Sequence, residues 1–364
     1  MPSRFPQVPD LPQCLWELIA QVPPGKVSTC GDLADALGNR IAARWVGHVA
    51  LHHEHGENCP CHRVLRAGGA LGGYVTGSTA KKAMRLRDEG VIVRKETVDL
   101  EQFGFNEFVS DWPLEHLRKI QEEVQSRIVV GGFQTVGQAS SDTHSQMSTD
   151  RETRFGQSTA GKTSSGTPHA PRLINRVPKF VGAVDVAYPS PGVGSAAYAL
   201  VETATGKLVW STAVRREVTF PYISTYLSFR EIPVLLDLID AVQAAGRLAE
   251  VLLVDGSGIL HHRHAGIASH FGVVAEIPTI GVTKKLLCGT VDIKQMQPGE
   301  SRPVVHDDLL IGFALRPTAS SLRPIFVSPG HRVDLAFSEQ VVRALLFGRR
   351  LPEPLYWADR LSRK

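Results

Sequence analysis

The chain has 364 residues, of which 43% are hydrophobic, with a formal net charge of +4, so it is long enough for two or three domains with cores of their own. Its mild basicity permits an anionic partner without demonstrating one, because charge matters only when clustered on a face. Five scattered cysteines exclude a disulfide framework, and the absence of any run of about 18 apolar residues or a signal-type apolar core leads us to expect a cytoplasmic protein of a reducing compartment.

Residues 8–94 read as one small unit. Leu11 to Val22 has amphipathic helical spacing, and Pro23-Pro24-Gly25-Lys26 is a turn. Thr29 is a candidate cap for a short helix reaching Leu37. Gly38-Asn39 turns the chain into a second helix from Ile41 to Leu51, which carries Arg44. Two short helices around a glycine turn match a helix-turn-helix, whose second helix commonly meets nucleic acid. Such a unit is also common as a purely structural element. Next comes Asn58-Cys59-Pro60-Cys61-His62-Arg63-Val64. A cysteine beside His and Arg is a candidate activated thiol, because nearby cations and donors favour the nucleophilic thiolate.

Pro60-Cys61-His62-Arg63-Val64 resembles the active-site motif of the O6-alkylguanine-DNA alkyltransferases. Pro24-Gly25-Lys26-Val27, Ala43-Arg44-Trp45-Val46-Gly47, Gly73-Tyr74 and Asp88-Glu89-Gly90 extend the resemblance over the first quarter of the chain. It implies a small helical catalytic domain in which Cys61 accepts the alkyl group. His62, through water, and Glu89 would activate the thiol, and Arg44 would fill the gap left by a flipped guanine. Cys30 stands where the family usually has Tyr, and His53 where it usually has Asn. The same stretch is rich in zinc-type ligands, namely His52, His53, His55, Cys59, Cys61 and His62. The resemblance accounts for Cys61 and His62 without zinc, and the spacing matches no standard four-ligand pattern.

Residues 95–112 connect to a helix from Pro113 to Val129. Residues 131–170 lose all periodicity and are expected to be a disordered insertion or linker. From Leu173 onward the pattern is α/β. Strands are predicted at Val181–Tyr188, Ala196–Glu202, Leu208–Val214, Val251–Asp255, Thr279–Val282 and from Ile325, with helices at Ser228–Ala245 and Asp334–Phe347. Asp185 falls within one β-branched run, Asp255 ends another ahead of Gly256-Ser257-Gly258, and Glu231 opens a helical pattern. Three acids in apolar surroundings are costly unless a cation neutralises them, and hard divalent cations take oxygen ligands. The alternative for any one of them is a turn or cap residue.

This half resembles endonuclease V over residues 113–360. The resemblance rests on Val184-Asp185-Val186, Pro221-Tyr222-Ile223-Ser224, Phe229-Arg230-Glu231-Ile232-Pro233, Val254-Asp255-Gly256, Pro278-Thr279-Ile280-Gly281-Val282, Ser328-Pro329-Gly330-His331-Arg332 and Leu351-Pro352-Glu353-Pro354. It implies a ribonuclease H-like mixed sheet flanked by helices and an enzyme that nicks DNA 3′ of deoxyinosine with Mg²⁺, for which Mn²⁺ could substitute. By that resemblance Asp185, Glu231 and Asp255 hold the metal. Lys284 and His331 assist at the phosphate and metal, and Tyr222 is a wedge that parts the strands at the lesion. Each also has an ordinary reading: core aromatic for Tyr222, surface charge for Lys284, turn residue for His331. The whole chain therefore reads as an alkyltransferase-type domain fused to a nuclease, acting on damaged DNA with no membrane partner. Two alternatives remain open: a non-catalytic first domain, or a nucleic-acid-binding protein or nuclease directed at inosine-containing RNA.

Overall fold

Periodic apolar residues and capping side chains set the elements of the N-terminal part. Helix α1 (Leu11–Gln21) buries Leu11, Leu15, Leu18 and Ile19, and Asp10 caps it by accepting from the Gln13 amide. Helix α2 (Cys30–Ala36) starts at a reciprocal capping box between Thr29 and Asp32. A one-turn 3₁₀ segment, Arg40–Ala42, leads into α3 (Ala43–Leu51), so the expected second helix begins as a 3₁₀ turn. Gly38, at φ +99°, makes the bend between them. Ser28–Thr29 pairs in parallel with Val64–Leu65, and α4 (Thr79–Asp88) is capped by Ser78. Val27, Leu65, Leu71, Ala83, Leu86, Val91 and Val98 form the core beneath.

The computed structural model describes residues 4–131, 173–321 and 323–364. The expected insertion at 131–170 lies, beyond its first residue, outside them. Contacts divide the chain into two units, Gln7–Ile120 with Thr219–Leu227, and Met1–Pro6 with Gln121–Val218 and Ser228–Lys364.

The second of these is built on one mixed sheet of eight strands: β1 (Phe180–Ser190), β2 (Val193–Glu202), β3 (Leu208–Glu217), β4 (Leu252–Asp255), β5 (Thr279–Thr283), β6 (Ser301–His306), β7 (Leu309–Leu315) and β8 (Ile325–His331). Their spatial order is β6-β7-β8-β5-β4-β1-β2-β3. β4 runs parallel to both β1 and β5, and the other pairings are antiparallel. Helix α5 (Pro113–Ser126) ends shortly before a bridge between Val130 and Val333, and α6 (Leu227–Ala244) buries most of its length. Helix α7 (Ile267–Ala275) packs against β5 and β8. Helices α8 (Leu335–Ala344, capped by Asp334) and α9 (Glu353–Ser362) cover a core of Val181, Ala183, Leu253, Ile280, Val282, Val327, Val341 and Leu355. The opposite apolar cluster gathers Val124, Ile128, Ile259, Leu260, Val304 and Ile311. Sequence periodicity did not single out β6, β7 or α9.

Candidate functional site

Strand register brings the first two acids together. Val184 pairs with Val254 across the parallel β1–β4 ladder, so Asp185 and Asp255 follow as neighbours on adjacent strands. Behind Asp255 the chain must turn against packed backbone. A Cβ at Gly258 would lie 2.0 Å from the Pro329 carbonyl oxygen, and one at Gly256 2.2 Å from Ile267 Cγ2. Glycine alone fits there, which fixes the carboxylate at the C-terminal end of β4. A third carboxylate, Asp359 of α9, completes the group: oxygens of Asp185, Asp255 and Asp359 all lie within 4.8 Å of one another. Asp359 is a site residue that sequence reasoning missed.

Two neighbours manage this charge. Lys284 follows β5, whose Val282 pairs with Asp255, and its Nζ stands 3.2 Å from Asp255 Oδ2 and 3.5 Å from Asp359 Oδ1. Ser362, one turn beyond Asp359, donates to Asp185 Oδ2 at 2.6 Å. Burial, then the charges of Asp255 and Asp359, push the Asp185 carboxyl up to about 6, against the Ser362 hydrogen bond. Burial lowers the Lys284 ammonium, but Asp255 and Asp359 outweigh it and the net shift is upward. An all-oxygen set of three converging carboxylates fits a hard divalent cation.

Glu231 is not one of the three converging acids. It is buried on α6, and burial first, then the charges of Asp185 and Asp255, hold its carboxyl well above the carboxylate range. It is thus within electrostatic reach of the cluster. His331 is placed elsewhere. It pairs with Thr279 at the start of β5, whereas Asp255 pairs with Val282 near its end, about 10 Å further along the strand. Its Nδ1 accepts from the Val129 amide, and burial lowers the ring to about 4.

In the other unit, Cys61 lies in the 3₁₀ turn Pro60–Arg63 and is buried. It lines a cavity of ≈ 570 Å³ with Cys30, Arg44, Gly47, Gly73 and Lys82. Burial, then the neighbouring Cys59, push its thiol up to about 12. His62 donates its Nδ1 hydrogen to the Cys59 carbonyl (3.2 Å), and its Nε2 faces Glu89 Oε1 at 2.8 Å. Both ring nitrogens are therefore engaged away from the Cys61 sulfur. Burial lowers His62 more than Glu89 raises it. Glu89 also receives the Arg63 guanidinium on both oxygens; burial raises its carboxyl, but Arg63 and His62 together pull it down. The imidazole in hydrogen-bond contact with Cys61 is that of His55, with Nδ1 3.6 Å from the sulfur. Lys82, buried and lowered to about 8 by that burial, donates to the carbonyls of Val64, Leu71 and Gly73. Those bonds brace the cavity wall. Lys82→Met should lower unfolding stability by roughly 1–3 kcal/mol by leaving carbonyls unpaired; a urea midpoint equal to wild type would show that they find other donors.

Arg44 is exposed on α3 and lines a second cavity of ≈ 770 Å³ together with Ile41, Trp45, His48, Pro221 and Tyr222. Tyr222 is 69% exposed and therefore not a core aromatic. The two side chains expected to meet DNA thus border one concavity.

Residues 167–360 match the family model of endonuclease V, and residues 10–91 match that of the 6-O-methylguanine DNA methyltransferase DNA-binding domain. The bifunctional methyltransferase/endonuclease of Picrophilus torridus is 29% identical over 336 residues, covering 92% of this chain and 90% of that protein. The crystal structure of endonuclease V from Streptomyces avermitilis is 30% identical, with a TM-score of 0.52 over 68% of this chain and 91% of its own. Human endonuclease V is 26% identical at a TM-score of 0.52, covering 69% and 96%. No helix among the described residues is long and apolar enough to cross a membrane.

Proposed function

The chain belongs to the endonuclease V family and carries an alkyltransferase-like part ahead of its nuclease half, and from that premise we propose a bifunctional DNA-repair enzyme. One half hydrolyses a phosphodiester 3′ of deoxyinosine, and the other takes an alkyl group from O6-alkylguanine onto Cys61. The observation that carries the nuclease reading is the convergence of Asp185, Asp255 and Asp359 from two strands and a helix. Those carboxylates would hold Mg²⁺, or Mn²⁺ in its place, which supplies Lewis-acid activation of the phosphate and an acidified water. Lys284 holds Asp255 and Asp359 in place and adds positive charge beside the scissile phosphate. Glu231, whose carboxyl is raised by burial and by the charges of Asp185 and Asp255, stands beside the cluster and would respond to cation charge there. Tyr222, exposed on its loop, would part the strands, and Arg44, exposed on α3, would fill the gap left by a displaced base.

A second reading is favoured by one observation: the Cys61 thiol is pushed up to about 12 and no ring nitrogen of His62 faces it. It makes the first unit a lesion-binding module that leaves the alkyl group in place. Incubation with labelled duplexes carrying either inosine or O6-methylguanine, scoring strand cuts and protein mass separately, tests both. The nuclease reading expects cuts only in the inosine strand and only with a divalent cation. Equal cutting in excess chelator would overturn it. Binding of O6-methylguanine duplex with no mass gain would leave the module reading standing.

A further inference from the structure

We propose that His53, His55, Cys59 and Cys61 form a tetrahedral zinc site. One ligand atom from each lies within 4.8 Å of all the others. His53 Nε2 stands 3.3 Å from Cys59 Sγ, and His55 Nδ1 stands 3.6 Å from Cys61 Sγ. Zinc bonds of about 2.0–2.1 Å to nitrogen and about 2.3 Å to sulfur place tetrahedral nitrogen and sulfur ligands roughly 3.5 Å apart. The two observed pairs lie on either side of that separation. Two borderline nitrogens and two soft sulfurs select zinc over the hard cations that suit carboxylates.

The outer shell is also built. His53 donates its Nδ1 hydrogen to the Val49 carbonyl at 3.1 Å, which leaves the Nε2 lone pair aimed at Cys59. The Trp16 ring, 4.7 Å from the His53 ring between centroids, holds its plane. His55 Nε2 is 3.4 Å from the Tyr74 hydroxyl, which in turn receives Arg85 at 3.4 Å. Both imidazoles are thus oriented from behind, as metal ligands are. The four ligands come in two pairs, each spaced by one residue, from the loop after α3 and the start of the 3₁₀ turn. An ion here closes the exposed loop Gly56-Glu57-Asn58 and presents a deprotonated Cys61 sulfur to the 570 Å³ cavity. The site does not depend on whether Cys61 accepts an alkyl group, because its readout is metal content.

The test uses the full chain purified under reductant. Elemental analysis should find about one zinc per chain retained through desalting. The chain stripped of metal and refilled with Co²⁺ should show a thiolate-to-cobalt charge-transfer band and the intense visible bands of a tetrahedral site. Cobalt bound at Asp185, Asp255 and Asp359 has no sulfur ligand, so that band reads only this cluster. Cys59→Ser and His53→Ala should lose both signals while still nicking inosine duplex, which shows that the chain has folded. No charge-transfer band from wild type with titratable thiols would overturn the site, and so would wild-type zinc content in Cys59→Ser. The wild-type spectrum decides alone if the variants misfold. Alkyl transfer is scored separately by intact mass, so its failure is distinct from loss of the zinc.

Discussion

Asp255→Asn is expected to eliminate nicking of inosine duplex in Mg²⁺ while leaving duplex binding near wild type. Asp255 is the central acid of the group: its strand lies between β1, which carries Asp185, and β5, which delivers Lys284. Replacing its carboxylate by an amide keeps the shape but removes a negative charge from the set that would hold the cation. It also leaves Lys284 Nζ with Asp359 as its remaining carboxylate of the cluster. Electrostatic and Lewis-acid help from a bound ion is worth several kcal/mol, so a loss of about 10²–10⁴-fold in rate follows. On the proposed reading, DNA affinity draws on cations and exposed side chains elsewhere, Arg44 and Tyr222 among them. Single-turnover nicking and a gel-shift titration separate the two effects. Wild-type nicking by the variant would sink the metal assignment; lost binding would show that Asp255 shapes the DNA surface instead. Asp359→Asn should behave in the same way, and Ser362→Ala more mildly.

The same cluster sets a pH dependence. The Asp185 carboxyl, raised from 3.8 to about 6 by burial and by Asp255 and Asp359, binds its proton more tightly in the fold than in the unfolded chain. Such a group favours the fold when protonated, so metal-free stability should fall as pH rises from about 4 through 6. A divalent cation competes with that proton. The rise in Tm on adding Mg²⁺ should therefore be small at pH 5 and grow toward pH 7, as thermal melts with and without Mg²⁺ would show. An equal shift at both pH values would mean that Asp185 is not displaced from its proton by the ion.

Legibility followed from how local each signal is. Asp185 and Asp255 were readable because an acid within or at the end of an apolar run announces a buried strand, and parallel pairing then places the two side by side. Asp359 was not, because α9 offers a mixed, half-exposed face in which an acid looks like an ordinary solvated residue. Only the three-dimensional packing of α9 on β1 and β2 turns it inward. His331 showed the reverse problem. A histidine after Ser-Pro-Gly at a strand end suggests a site, but antiparallel pairing sends that end to the start of β5, away from Asp255. Thr29 was legible as a cap because capping is set within three residues. In the first unit the motif around Cys61 was plain, yet the partners of each ring nitrogen were not, since they depend on Glu89, some 27 residues away, and on the loop carrying His55.

Cys61→Ser should abolish a covalent event that wild type is expected to perform once. Exposed to O6-methylguanine duplex, the wild-type chain should gain the mass of a single methyl, located on Cys61 by peptide mapping. In the transfer the sulfur forms a bond to the methyl carbon as the bond from carbon to O6 breaks; the electron pair stays with guanine, which takes up a proton. A thioether keeps its alkyl group, so no second turnover follows. Serine lacks the polarisable sulfur and ionises far less readily, so its adduct should be undetectable. Glu89→Gln gives a graded contrast. Glu89 anchors His62, both faces of the Arg63 fork and the Gly25 amide, and so positions the turn bearing Cys61 from behind. Losing its charge should slow methyl uptake by about 10–100-fold, because misplacing a nucleophile by a fraction of an ångström is costly, yet the end point should still be one methyl. Uptake by Glu89→Gln at the wild-type rate would remove Glu89 from the positioning role. A wild-type chain that binds the lesion and gains no mass would leave the first unit as a recognition module alone.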